Sequence, residues 1–388
     1  MSDYKFLQPY TFKNGVKVKN RVVIPPMTIA SSLEEGSVSR DDLFYAGLRS
    51  GGVGMFISPV ANVTNDGKGF EGELSVADDK YIPGLSKLAD AMKKGGTKAI
   101  IQIFHAGRMS DSTILRGIQP VSASAVAAPR DGMETPRELS SNEVEAIVQA
   151  FADATRRAIV AGFDGVEIHG ANTYLIQQFF SPHSNKRTDK WGGDVEKRMT
   201  FALEIIRAVH DAIEEYGNDD FILGYRISPE EIESPGIRID DTLKFIDKLS
   251  GQPLNYLHIS MGNAWRKSLN NPDDDRYTIQ RIKDQVKGRL PLISVGSIET
   301  PEDAEKIMDA GIDFVAIGRE YLREPKWIDK VISGHEETIR YSINRDALDE
   351  IGLNPSIIEF LKGLGTELGY EGEQKGDGKS EYGVVLDS

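Results

Sequence analysis

Cysteine is absent from all 388 residues, which removes disulfides, thiolate nucleophiles, iron–sulfur clusters and cysteine-ligated zinc from consideration. Long apolar runs are missing too, and the opening MSDYKFLQPYTFKNG has no apolar core of the signal-peptide kind. The expectation is a cytoplasmic protein that does not span a membrane. Positive charge is short: 46 Lys and Arg against 60 Asp and Glu leave a net −14, which disfavours general binding to nucleic acid or an anionic membrane. Histidine is scarce as well, with six in the whole chain, so the place of each carries weight. What remains is 39% hydrophobic and 27% charged, an ordinary globular composition. A small molecule is the expected partner, with a homo-oligomer left open.

Short apolar runs alternate with longer amphipathic ones, the pattern of parallel βαβ units. Strands are expected at Arg21–Pro25, Met55–Ser58, Ala99–Phe104, Gly165–His169, Ile222–Ile227, Tyr256–Ser260, Leu292–Val295 and Phe314–Ile317. Helices are expected to begin near Asp41, Pro83, Ser140, Val195, Asp240, Thr278, Pro301 and Pro325. Eight such pairs predict an α/β chain folded as a (β/α)8 TIM barrel over residues 1–333 rather than a doubly wound sheet. Ser140-x-x-Glu143 forms a capping box ahead of an apolar stripe at helical spacing, and Thr300-Pro301 opens another helix that ends at Ala310-Gly311. From Gly334 to the end a C-terminal extension is expected, partly helical or mobile, with EGEQKGDGKSEYG (Glu371–Gly383) as a tail or interaction arm.

In such a barrel the active site lies at the C-terminal ends of the strands, and period-two alternation sorts side chains toward the axis or toward the helices. Glu167, His169 and Arg226 are expected to face inward. Gln102 takes the opposite face from Ile101, Ile103 and His105, while Tyr256, His258 and Ser260 share one. Each has a bland reading: an inward histidine is commonly a hydrogen-bonded core residue, Arg226 can simply pair with Glu167, and His105 suits a structural role. Together, at neighbouring strand ends, they point to a ligand site. The last two strands lead into Gly296-Ser297 and Gly318-Arg319. The loops after strands seven and eight of a barrel commonly bind phosphate, because free N–H groups there favour an anion.

FLQPYTFKNGVKVKNRVVIPPMT, IIQIFHAGR, PRELS, EIHGANTYLIQQFFSPHSNKRTDKWGG and VGSIETPEDAEKIMDAG followed by FVAIGREYLREP resemble the old yellow enzyme family of FMN-dependent oxidoreductases, over roughly Phe6 to Trp327. The resemblance implies FMN across the barrel mouth, its phosphate met by Gly296, Ser297, Gly318 and Arg319. It puts Pro26, Met27 and Thr28 along the isoalloxazine, Val60 close by, Gln102 on the pyrimidine edge and Arg226 near N1 and O2. It makes His169 and Asn172 the donors to a substrate carbonyl oxygen and Tyr174 the proton donor. NADH or NADPH would reduce the flavin, and an activated alkene or a quinone-like acceptor would reoxidise it. The polar loop from Ser181 to Gly193 would be scaffolding. Three departures stand out. Thr28 occupies a position that is cysteine in some members, Ala30 replaces a tyrosine used at some substrate sites, and ISPVAN lacks the acidic residue common before Val60. Two rival readings are a metal-dependent barrel hydrolase, since His169 and His258 both face inward, and a non-catalytic barrel that binds a phosphorylated ligand.

Overall fold

Each apolar run becomes a short parallel strand because both of its faces are covered, one by the barrel interior and one by helices. The computed structural model describes residues 3–363 and 368–372. Its barrel strands are β1 (Val22–Ile24), β2 (Met55–Asn62), β3 (Lys98–Phe104), β4 (Gly165–Gly170), β5 (Ile222–Ile227), β6 (Tyr256–Ile259), β7 (Leu292–Val295) and β8 (Phe314–Ala316). Every neighbouring pair is parallel, and the sheet closes on itself where Val22 of β1 pairs with Val315 of β8. Around it lie α1 (Arg40–Arg49), α2 (Ile82–Met92), α3 (Ser141–Val160), α4 (Thr200–Tyr216), α5 (Ile239–Leu249), α6 (Thr278–Val286), α7 (Pro301–Asp309) and α8 (Trp327–Ser333). The expected TIM barrel is therefore the observed one.

Alternation decides what fills the middle. Val23, Met55, Ile57, Ile100, Ile222, Tyr256, Ile293, Val295, Phe314 and Ala316 form one interior cluster, sealed below by Phe12, Val16 and Val18. The last three belong to an N-terminal hairpin in which Tyr10–Thr11 pairs with Lys17–Val18, a plug that periodicity alone does not announce. The Tyr256 ring needs room: a Cβ on Gly224 would lie 2.1 Å from its Cζ. Glycine at that strand position is thus a packing requirement.

The helix ends follow local chemistry. The Ser140/Glu143 and Thr300/Asp303 capping boxes both form, and a third, Ser39/Asp42, starts α1. Each side-chain cap is worth about 1 kcal/mol. Strand β2 runs past its expected end, because a bulge between Ile57 and Val60 restores the pairing of Val60 with Gln102. Pro59 has no N–H to offer the ladder, and Ser58 bridges the gap by donating to the Pro59 carbonyl at 2.7 Å and accepting from the Gln102 N–H at 3.1 Å. The helix expected from Val195 begins there as the short turn Val195–Arg198 and continues as α4.

Beyond α8 the chain packs back on the barrel. Ile339, Ile343, Ile351, Leu353, Ile357 and Leu361 join the main core, and Pro355–Gly363 is helical. Apart from Glu371 and Gly372, the segment expected to be a tail lies outside the described residues. No helix among the described residues is long and apolar enough to cross a membrane.

Candidate active site

Parallel pairing brings polar residues from distant parts of the chain to one level of the mouth. Gln102 pairs in register with Glu167. One step further out, Arg226 lies between His169 on β4 and His258 on β6. Glu167 is fully buried and joins the set: its Oε1 accepts from Gln102 Nε2 at 2.6 Å, and its Oε2 meets His258 Nδ1 at 3.0 Å. Burial alone would raise its pKa, but His258 hydrogen-bonded to it and the nearby Arg226 cation hold it below the usual value. Burial, opposed by Glu167, lowers His258. The consistent assignment is a carboxylate facing a neutral imidazole that donates from Nδ1.

Arg226 is buried, and burial lowers its pKa to about 10 against the opposing pull of Glu167. It remains a cation at neutral pH. The simple ion pair with Glu167 does not form: Arg226 Nε and Nη2, Gln102 Oε1 and His258 Nε2 are buried without partners among the described residues. Such groups are costly unless a ligand satisfies them. Two donors on one fixed cation beside two acceptors, Gln102 Oε1 and His258 Nε2, fit the carbonyl and N–H edge of a flavin pyrimidine ring.

His169 is buried, and its Nδ1 accepts the Ala171 N–H at 3.3 Å. Burial first, then the positive charge of Arg226, drives its pKa well below the ordinary value. A neutral ring with Nδ1 accepting leaves Nε2–H as the free donor. Asn172 and Thr173 both adopt left-handed backbone, φ 54° and 63°, a costly conformation for non-glycine residues that must be held from outside. The clamp consists of Gln177, whose Oε1 accepts the Thr173 N–H at 3.0 Å, and Gln178, whose Nε2 donates to the Thr173 carbonyl at 2.7 Å. Ser228 Oγ accepts the Asn172 N–H at 2.9 Å, while Ser260 Oγ donates to Asn172 Oδ1 at 2.8 Å. With Oδ1 engaged, the Asn172 amide is oriented to offer Nδ2–H.

Tyr174 stands edge-on to Phe104 and His169, with ring centroids 4.7 and 5.1 Å away. Burial first, then the carboxyl of Glu73, raises its phenol above the ordinary range, so it is a protonated donor at any working pH. Val60, expected beside a flavin, packs with Phe104 and Ala106, and Tyr174 and Phe70 lie against the same cluster. Pro26 and Met27 are buried at the end of β1, and Thr28 is half-exposed. The Met27 side chain belongs to the main core, which leaves its backbone for the mouth.

On the far side of the mouth, Gly296 has φ 123° and Ser297 φ 51°. A Cβ on Gly296 would come within 2.4 Å of the Met261 carbonyl oxygen. Gly296, Ser297, Gly318 and Arg319 line one small cavity, and Arg319 Nη2 reaches Ser297 Oγ at 3.3 Å. Gly318 caps the helix Arg319–Arg323 without a side-chain cap, so the first N–H groups of that turn are open to an anion.

Of the residues expected at the site, Gln102 meets Glu167 and His169 meets Arg226 in register, and Val60 and Tyr174 share one apolar cluster. Asn172 joins Ser228 and Ser260, Gly296, Ser297, Gly318 and Arg319 line one cavity, and Pro26, Met27 and Thr28 follow the end of β1. His105 is structural, accepting the Gly107 N–H at 3.0 Å. The polar loop after Ser181 is scaffolding, as expected: Asn185 Nδ2 donates to the Phe179 and Trp191 carbonyls and Arg187 to that of Ala123. Ser228, Phe70 and Phe104 are missing from the expected set, and nothing in their spacing marks them. Ser260 is visible in the sequence only as a face-mate of His258. Among the described residues no three His, Asp or Glu side chains are placed to hold a metal ion.

A closed parallel barrel thus carries at its mouth a buried cation, a clamped donor pair and a small cavity lined by backbone N–H groups and a guanidinium. The sequence profile of the NADH:flavin oxidoreductase / NADH oxidase family matches residues 5–338, and the chain belongs to that family. It is 49% identical over 327 residues to an NADH:acrylate oxidoreductase of Vibrio harveyi, covering 83% of this chain and 32% of the relative. It is 42% identical over 351 residues to an NADH:fumarate oxidoreductase of Klebsiella pneumoniae (strain 342), covering 89% and 38%. The chain thus spans about a third of the length of these curated relatives. The solved structure of morphinone reductase superposes with a TM-score of 0.74 at 26% identity, covering 86% of this chain and 90% of that one.

Proposed function

We propose that this protein passes reducing equivalents from NADH or NADPH, through FMN, to a small activated alkene, an α,β-unsaturated carbonyl or carboxyl compound, or to a quinone-like acceptor. The observation that carries the reading is the clamped donor pair, neutral His169 and oriented Asn172, beside protonated Tyr174. Acrylate and fumarate, named for two relatives, are acceptors of this kind. A cytoplasmic setting, where both nicotinamide donors are held, belongs to the same proposal.

Gly296, Ser297, Gly318 and Arg319 would hold the FMN phosphate through backbone N–H groups and a guanidinium. Gln102 and Arg226 would meet the pyrimidine edge, with Pro26, the Met27 backbone, Thr28 and Val60 alongside the ring system. FMN, when bound, supplies the hydride. His169 Nε2–H and Asn172 Nδ2–H bind the acceptor's carbonyl or carboxyl oxygen and stabilise the negative charge that grows there. Tyr174 delivers a proton to the acceptor's α-carbon. Gln177, Gln178, Ser228 and Ser260 keep these donors in place before substrate arrives, which is where much of the rate advantage of fixed dipoles originates.

The test is anaerobic spectroscopy of the purified protein. Flavin absorbance should bleach on adding NADH or NADPH and return on adding an α,β-unsaturated carbonyl compound or acrylate. A protein that retains no flavin, or whose reduced flavin no alkene or quinone reoxidises, would end this reading.

A further inference from the structure

The family match stops at residue 338, yet the chain beyond it is tied to the catalytic face of the barrel. Arg49, fully buried, donates from Nη2 to the Ile351 carbonyl at 2.7 Å and from Nε to that of Tyr321 at 2.9 Å. Asn354 Nδ2 donates to Ser31 Oγ at 3.1 Å and to Asp41 Oδ2 at 2.8 Å. Ser31 belongs to the loop after β1, the same loop that carries Thr28. These contacts set the helix Pro355–Gly363 beside the loop after β1 and the start of α1, with its Ile357 and Leu361 buried.

One side chain of that helix connects to the reactive groups. The Phe360 ring lies 5.0 Å from Phe70, tilted at 49°. Phe70 rests on the cluster of Val60 and Phe104 against which Tyr174 also packs. One ring contact and one shared apolar cluster therefore link the extension to Tyr174. Phe70 is held at its backbone. Its neighbour Gly69 sits so close to the wall that a Cβ there would be 3.1 Å from Ala106 Cβ and 3.6 Å from Phe104 Cζ. The Gly69 N–H is also held by Glu73 at 2.9 Å. With its inner side set by the loop, the outer flank of Phe70 depends on Phe360.

We propose that the helix Pro355–Gly363 is the outer wall of the acceptor pocket, and that Phe360, stacked on Phe70, sets the largest acceptor the pocket admits. The proposal rests on the assignment of His169, Asn172 and Tyr174 to the acceptor. It makes the extension a specificity element, supplied by the same chain, for small unsaturated carbonyl and carboxyl compounds. Removing the ring leaves Phe70 free to swing outward and opens the pocket away from the donors, so small acceptors keep their contacts while aryl-substituted ones gain space. One or two carbon units in an apolar pocket shift discrimination by roughly 10- to 200-fold.

The experiment compares a small and an aryl-substituted ligand in the full chain, by two routes. Saturated cyclopentanone and 3-phenylcyclopentanone are titrated against the perturbation of flavin absorbance, and the corresponding enones are compared by kcat/KM. Phe360→Ala should raise the ratio of bulky to small by about tenfold in both routes, and Phe360→Trp should lower it. Should Phe360→Ala fail to fold, Phe360→Leu, which keeps most of the apolar volume, should move the ratio in the same direction. Ratios within about twofold of wild type in the folded variants would overturn the wall. So would a flavin spectrum that responds to neither ketone. If ketones bind but no enone is reduced, the proposed activity fails, and the wall stands or falls on the binding ratio alone.

Discussion

Replacing Arg226 with methionine tests the electrostatic heart of the site. The guanidinium is fully buried, it stays charged at neutral pH with a pKa of about 10, and two of its nitrogens have no partner among the described residues. Its field is therefore neither screened by water nor used up by an ion pair. At a contact separation of ~4 Å and an effective dielectric of ~20, a unit charge stabilises a reduced, anionic flavin by about 4 kcal/mol over the neutral oxidised form. For a two-electron couple, in which 1.4 kcal/mol corresponds to about 30 mV, that is a fall of roughly 90 mV in the variant. Glu167 works in the same direction, because its carboxylate loses its counter-charge and repels added electrons. Gln102 and His258 still hydrogen-bond that carboxylate, and methionine fills much of the vacated volume, so the fold should persist. Dye-equilibrated reduction of Arg226→Met and wild type, followed by flavin absorbance, measures the difference. A shift smaller than about 20 mV, under 1 kcal/mol, or a shift to higher potential would mean that Arg226 does not face the flavin.

Tyr174→Phe should cut alkene turnover by roughly 10²- to 10⁴-fold while sparing quinone acceptors, which need no proton on carbon. A cyclic enone reduced at the wild-type rate would leave the tyrosine a packing element. Arg319→Ala should weaken FMN binding by roughly 10- to 100-fold, the worth of one charge-assisted phosphate contact; an unchanged dissociation constant in a fluorimetric titration would move the phosphate elsewhere. Glu320 lies beside the same corner, and its carboxyl is raised to about 8, by burial first and by Glu299 and Glu324 against the opposing Arg323. A folded-state pKa above the unfolded ~4.3 means that its stabilising effect is full at low pH and is lost as pH climbs toward 8. The melting temperature of Glu320→Gln should therefore gain on wild type between pH 5 and pH 8, and a pH-independent difference would contradict the assignment.

The barrel is legible in the sequence because a strand buried on both faces must be apolar throughout, and runs such as Ile222–Ile227 and Leu292–Val295 have no competing reading. Where proline interrupts that rule, at Ser58-Pro59, the strand stops early on paper and continues in space through a bulge. The inward set of Glu167, His169 and Arg226 follows from alternation. What alternation does not contain is their partners. Glu167 meets Gln102 and His258 only once three strands lie side by side, and the left-handed backbone at Asn172 and Thr173 carries no glycine to betray it. The extension is polar enough near its end to suggest a tail, yet Ile357 and Leu361, one helical turn apart, mark the face that packs down.

The closure of β1 against β8, Val22 beside Val315, also sets the order in which this protein can come into being. Contacts so distant in sequence form late, since the entropy of closing a long loop must be met before they reward the chain. Until Phe314–Ala316 has left the ribosome, the interior row of valine, isoleucine and methionine stays open at a seam between unpaired strand edges, a form prone to aggregate. The corner proposed for the phosphate follows the last two strands, and the groups proposed for the pyrimidine edge come from β3 and β5. No nascent fragment therefore holds both ends of the cofactor at once, and the appearance of yellow colour during synthesis or refolding would serve as a clock for the moment the ring of strands is complete.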